Sequence, residues 1–476
     1  MTTLQPAARG TVRPTWVGAR AQDAPTVRQP ALPPARPACP ARPTVATASP
    51  GAGRPPGAPR RDPFVSGVRA VGTLLVVGLH WLMVEAALNG DRLVVGNALG
   101  HGWAWLLTWA QPLPVLFFAA GAAARYGLDR RPGEPGWRLV AARLPRMALP
   151  VGVLLAAWGA LVLAAPALGL PTAVVRRAAR IVPQPLWFLG VQLVLLALTP
   201  RLLRLLRRHG LALVAVLAGL AVLVDVVRFG QGVEPAGLAN VLLVWAVPYA
   251  GGLVYADQRL GGDVPLPRLR GLTVRGALAL VAVGALAATV ALLLAGPYPL
   301  SLIGMPGDAI SNLAPPTAPV VTFAVAQIAG ALLARETIAR RAARSRLVAW
   351  VDARSMGLYL WHLTAMFLVC GLVLLGAGRA VPEPWTWDWW TSRPGYLGAA
   401  ALVLVALVAL AGRAERALRW RPARARAGRG DRASAPAGGQ ASRRTARTAP
   451  TPPISTIQAS ATRAPVAGLS TVSVRS

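Results

Sequence analysis

Apolar runs of about twenty residues recur through the middle of this chain, and nothing else in it restricts the fold as much. A helix crossing the hydrocarbon core of a bilayer needs ~20 such residues. Backbone polar groups at that depth must be satisfied within the segment, so helices are the natural spans. The runs lie at residues 63–88, 103–124, 147–166, 185–200, 211–227, 238–256, 276–295, 317–334, 356–378 and 395–412. They predict an all-α polytopic membrane protein with about ten transmembrane helices. Only 14% of the 476 residues are charged, and the mean hydropathy is +0.49. Soluble domains carry about 25% charge, so a soluble enzyme is excluded.

An even number of spans puts both ends of the chain on one side. Loop charge says which side. The loops after spans two, four, six and eight hold 20 Arg, and the remaining five loops hold 7. The positive-inside rule therefore places the first set, with the N- and C-termini, in the cytoplasm. The loop with Arg176, Arg177 and Arg180 is the weakest point of this alternation.

The net charge of +33 invites a nucleic-acid reading. Its distribution argues against one. Residues 1–62 hold 9 Arg and 13 Pro, and residues 413–476 hold 13 Arg. Both segments lack the apolar surface that offsets chain entropy on folding, so both read as disordered basic tails. Neither carries a series of aromatics to stack on bases. Attraction to anionic lipid head groups accounts for them better. The division expected is therefore a Pro-rich tail at 1–62, a membrane domain at 63–412 and a second tail at 413–476.

Motifs of soluble chemistry are missing. The two Cys, Cys39 and Cys370, cannot build a CxxC metal site. There is no Walker loop and no GxGxxG after a strand. No metal and no permanently bound cofactor are expected.

What remains is a small set of polar residues inside the spans. Tails and loops account for every Arg but one, Arg69 in the first span. His80 follows eleven positions later in "RAVGTLLVVGLHW". Eleven residues are about three helical turns, so the two side chains share a face ~16 Å apart. Ionisable groups within spans tend to face the bundle interior or a water-filled cavity. Snorkelling to phosphates is the plain account of Arg69, and a hydrogen-bonded neutral imidazole is the plain account of His80. A second intramembrane histidine, His362, ends "RSMGLYLWH" in the ninth span. Glu85 and Asp225 read as outer-interface residues.

These residues resemble a known pattern. "FVSGVRAVGTLLVVGLHW" is similar to the opening helix of the bacterial membrane acyltransferase 3 family, whose Arg-x10-His falls on Arg69 and His80. "LPVLFFAAGAAARYGL" resembles its second helix, followed by Arg125. "AARLPRMALP" resembles the basic approach to its third helix, with Arg143 and Arg146. "PQPLWFLGVQLVLLALTP" and "SMGLYLWH" resemble its fourth helix and its segment ending on His362. The likeness covers 63–412 and neither tail. It departs at Ser66, where the family has Asp, and at Ala120, where it has Ser.

The resemblance implies an acyl-CoA-dependent O-acyltransferase of the cell membrane. It would move an acyl group, most often acetyl, onto a hydroxyl of an envelope glycan, a lipid-linked sugar or a small extracytoplasmic molecule. The residues suit that chemistry. A neutral imidazole within reach of a hydroxyl can take its proton as attack begins, and His80 is the candidate base. Negative charge develops on the thioester oxygen, and Arg69 or His362 is the candidate donor to it. Arg125, Arg143 and Arg146 suit the phosphates of CoA, though loop orientation alone also explains them. The Trp residues of "EPWTWDWW" suit either a sugar or an interfacial belt. A ten-span secondary transporter or flippase is the rival reading, since buried ionisable groups at depth suit it as well.

Overall fold

The computed structural model describes residues 62–430, except 90–91, 268–270 and 377–381. The tail expected at 1–62 lies outside the described residues apart from Asp62, as does 431–476.

Twelve α-helices carry the described chain. They are α1 Pro63–Met83, α2 Leu113–Asp129, α3 Gly136–Ala164, α4 Thr172–Ile181, α5 Leu186–His209 and α6 Leu211–Asp225. Then come α7 Gly237–Arg259, α8 Val274–Ala295, α9 Ala318–Leu333, α10 Arg335–Arg344, α11 Arg346–Gly371 and α12 Trp387–Gly430. Among the described residues, nine helical segments are long and apolar enough to cross a membrane, and the pair α9–α10, bent by 67°, brings the number to ten when taken as one broken span. The expected all-α multi-pass architecture is the one found.

Departures from the expected spans have local causes. The first helix stops at Met83 and not at 88. Val84–Asn89 (β1) instead pairs antiparallel with Arg92–Asn97 (β2), from Val84 opposite Asn97 to Asn89 opposite Arg92. Asn89-Gly90-Asp91 between them is turn chemistry in the sequence. The second span is discontinuous. A 3-10 segment, Gly102–Ala110, meets α2 across Gln111 and Pro112, where proline has no N–H with which to continue the ladder. The fourth run falls within α5, and the segment before it, read as a loop, carries α4. On α4, Val175 and Ala178 are buried while Arg176, Arg177 and Arg180 are exposed. The apparent exception to the loop-charge alternation is thus the polar face of a short amphipathic helix. The last helix runs past 412 to Gly430, so residues 413–430 continue a helix.

Helix α7 is central, packed against α2, α5, α6 and α9. Its approach to α2 depends on two glycines. A Cβ on Gly121 would lie 2.0 Å from the carbonyl oxygen of Tyr249, and one on Gly252 would lie 2.0 Å from that of Phe118. Small residues allow backbones in membranes this close, where packing replaces the hydrophobic drive. Helix α1 packs against α11, α10 and α2. That position brings the first and last parts of the resemblance side by side.

Candidate functional site

His80 lies in the last turn of α1, one residue before a bond that ties α1 to α11. The indole Nε1 of Trp81 donates to the carbonyl of His362 at 3.0 Å. This sets the two imidazoles together, with ring centroids 4.9 Å apart and planes at 73°. The Nδ1 of His80 is 2.7 Å from the Val76 carbonyl, and the Nδ1 of His362 is 2.6 Å from that of Tyr359. A carbonyl only accepts, so each Nδ1 carries its proton and each neutral ring keeps its lone pair on Nε2.

The two rings differ in access. His80 lines a cavity of about 310 Å³. The cavity walls are mostly apolar, and its residues with polar side-chain atoms are His80, Gln111, Gln184, Trp187 and Tyr359. His362 is fully buried behind it, and its Nε2 has no partner. The Tyr359 hydroxyl is already committed to the Pro185 carbonyl. A ring with a free lone pair on an apolar-walled cavity is equipped to accept a proton.

Arg69 goes elsewhere. Its Nε donates to Asp352 Oδ1 at 2.6 Å, its Nη2 bonds the same oxygen, and Ser66 Oγ donates to Oδ2 at 3.1 Å. The Asp352 side chain is 2% exposed and the Arg69 side chain 31%. Ser66, where the family pattern has Asp, therefore keeps a place in the same hydrogen-bonded group. As an oxyanion donor beside His80, Arg69 is misplaced, because the three turns between them separate the groups. The fully buried His362 stands behind His80 and does not line the cavity.

Residues 62–412 match the family model for the acyltransferase domain of the acyltransferase 3 type. The chain belongs to the acyltransferase 3 family. It is accordingly a multi-pass membrane enzyme that transfers acyl groups other than aminoacyl groups. No curated protein and no solved structure matches the chain.

Within this acyltransferase the three arginines assigned to CoA fall into two groups. Arg125 is buried, with Nε 2.8 Å from Asp257 Oδ1 and Nη1 3.3 Å from Asp129. Arg207 reaches the same Asp257 oxygen at 3.0 Å, and the Val264 N–H donates to the other at 3.2 Å. Here the expectation fails. Arg125 neutralises a fully buried aspartate between α2, α5 and α7, and a side chain used in that way does not face a phosphate. Arg143 and Arg146 are exposed on α3. Arg143 lies within electrostatic reach of Arg69 and Arg146, so the structure gathers three guanidinium groups at the end of the bundle where α1 begins.

The far end of the acyltransferase is roofed by loops. Of the four Trp in 385–390, three pack on one another, with centroids 4.7, 5.4 and 4.9 Å apart. Trp385 Nε1 donates to the Ala98 carbonyl at 2.6 Å, and Trp389 is fully buried under Arg393. These rings are structural, and Trp387 and Trp390 keep exposed faces. The segment 296–316 does more than connect. Asn312 Nδ2 donates to the carbonyls of Pro299 and Ser301, at 2.8 and 2.7 Å, and Ile303, Leu313 and Ala314 line the His80 cavity. Asp225 is buried within the protein. It accepts from Asn240 at 2.8 Å, Tyr298 at 3.0 Å and the Ala318 N–H at 2.7 Å.

Sequence reasoning missed Asp352, Asp257 and Gln111. The two aspartates stand at span ends, where an acid looks like an interfacial residue. Their sequence signal is a span-end acid that has a lone Arg at matching depth in another span. Gln111 carried a local signal, a Gln-Pro pair inside an apolar run.

Proposed function

We propose that the protein transfers an acetyl or similar short acyl group from acyl-CoA to a hydroxyl of an envelope glycan or another extracytoplasmic acceptor. On this reading it works in the bacterial cytoplasmic membrane with both termini in the cytoplasm. The observation that carries it is His80, a base on an apolar-walled cavity, its proton fixed on Nδ1 by Val76.

The donor approaches from the cytoplasmic face. Arg143 and Arg146, beside Arg69, meet its phosphates, where planar guanidinium groups bond phosphate oxygens in pairs. The acceptor comes from the other side, past the segment 296–316. His80 Nε2 takes the hydroxyl proton as the oxygen attacks the thioester carbon. The C–S bond breaks on collapse, and the departing thiolate takes the proton from His80. His362 holds the plane of the His80 ring by edge-on packing and is a positioning residue. No bound cofactor and no serine or cysteine nucleophile takes part.

The test is purified protein in lipid with labelled acetyl-CoA and cell-envelope glycan. Label appears on the glycan with wild type and not with His80→Ala. Transfer surviving His80→Ala sinks the proposed base. Glycan movement across the bilayer with acetyl-CoA untouched supports the transporter or flippase instead.

A further inference from the structure

We propose that the side-chain amide of Gln111 is the oxyanion donor of this reaction, an inference that rests on the acyl-transfer mechanism above. Neither group first considered for the task can serve. Arg69 is bound to Asp352, three turns from His80. His362 uses its one N–H on Tyr359 and presents a lone pair, which repels an oxyanion.

Gln111 stands at the break in the second span, between the 3-10 segment and α2. Its height follows from the packing of α1 on α2. A Cβ on Gly72 would lie 2.8 Å from Leu116 Cδ2. These consecutive spans run in opposite directions. Five residues outward on each helix brings Gln111 level with Val77, about one turn from His80. Gln111 and His80 line the same cavity.

The hydrogen bonds of Gln111 leave one group over. Its N–H donates to the Thr108 carbonyl at 3.1 Å. Its carbonyl accepts from Gln327 Nε2 at 2.9 Å. Its Oε1 accepts from the Leu113 N–H at 3.4 Å, which fixes the orientation of the amide. Exchanging Oε1 and Nε2 would set donor against donor. The Nε2 is buried and has no partner. Buried polar groups are almost always bonded, so a donor withheld from both protein and water asks for a reason. A thioester oxygen that gains charge as the hydroxyl attacks supplies one. Donors shielded from water are worth most there, and a small turn of the amide toward the cavity would bring this one within reach of that oxygen. The other amide of the cavity, Gln184, is exposed.

In the step itself, the hydroxyl oxygen bonds the carbonyl carbon and the C=O electron pair moves onto oxygen, facing the Gln111 N–H. His80 holds the hydroxyl proton. The pair then returns, the C–S bond breaks, and the thiolate leaves with that proton.

The experiment compares wild type with Gln111→Leu and Gln111→Met in lipid. Both keep roughly the size of the side chain and lose both donors. Steady-state transfer from acetyl-CoA should show kcat about 100- to 1000-fold lower in both. The donor KM should stay within about threefold, since the interaction is made only in the transition state. Gln111→His, which restores an N–H, should recover part of kcat. Folding is followed by thermal stability and by binding of a non-cleavable thioether analogue of acetyl-CoA. A kcat within about threefold of wild type in either folded variant overturns the inference alone. So does a loss matched by lost analogue binding. A wild type that never cleaves acetyl-CoA overturns the acyl-transfer mechanism beneath it.

Discussion

The ring of His362 stands edge-on to that of His80, 4.9 Å away, although 281 residues separate Trp81 from the His362 carbonyl that joins their helices. One ring faces the cavity and the other supports it. The two histidines should therefore fail differently. His80→Ala should lower kcat by about 10²- to 10⁴-fold, the usual worth of a general base. His362→Ala should lower kcat less, because the base remains but its ring is free to turn. Steady-state kinetics across pH 5–9 on both variants would check this, and equal losses would contradict it.

Arg69 and Asp352 form a partly shielded ion pair whose acid is the more deeply buried partner. Removing one member of such a pair costs up to ~3–5 kcal/mol because the other charge stays behind. Arg69→Ala should lower thermal stability in detergent, and Arg69→Ala with Asp352→Ala should regain part of it. A double-mutant cycle should give a coupling of about 0.5–3 kcal/mol. Strict additivity would refute the pairing.

Arg125 should separate from Arg143 and Arg146 in the same way that its contacts do. Arg125→Ala leaves the buried Asp257 with Arg207 as its remaining cation and should act on stability and yield. Arg143→Glu with Arg146→Glu should leave the fold intact and raise the KM for acetyl-CoA at least about tenfold, roughly 1.4 kcal/mol. The increase should shrink at high salt, as exposed charge interactions do. Kinetics at two ionic strengths, set beside melting curves, test both halves.

The α2–α7 crossing leaves no room for side chains at Gly121 or Gly252. Gly121→Val should abolish folded protein, since the obstacle is the Tyr249 backbone oxygen and not a flexible side chain. Gly127→Ala, where a Cβ meets nothing within 4 Å, should be tolerated. Membrane-extracted yield by gel filtration reports both outcomes.

The membrane class was legible in the residues alone, because a bilayer demands long apolar helices and nothing in a soluble fold demands ten of them. His80 stood out there as a candidate, because an ionisable ring at that depth needs an interior reason. Sequence reasoning went wrong where an apolar run hides a change of backbone. Residues 84–88 continue the apolar character of α1, yet they pair with 92–97 as a strand. Gln111 sits inside a run that reads as one span. Which arginine meets which acid was set by tertiary packing. Arg69 finds Asp352 across 283 residues and Arg125 finds Asp257 across 132. Electrostatic pairing depends on distance in space, and a sequence records only distance along the chain. Tertiary packing likewise put His362 behind His80 and left the Nε2 of Gln111 without a partner.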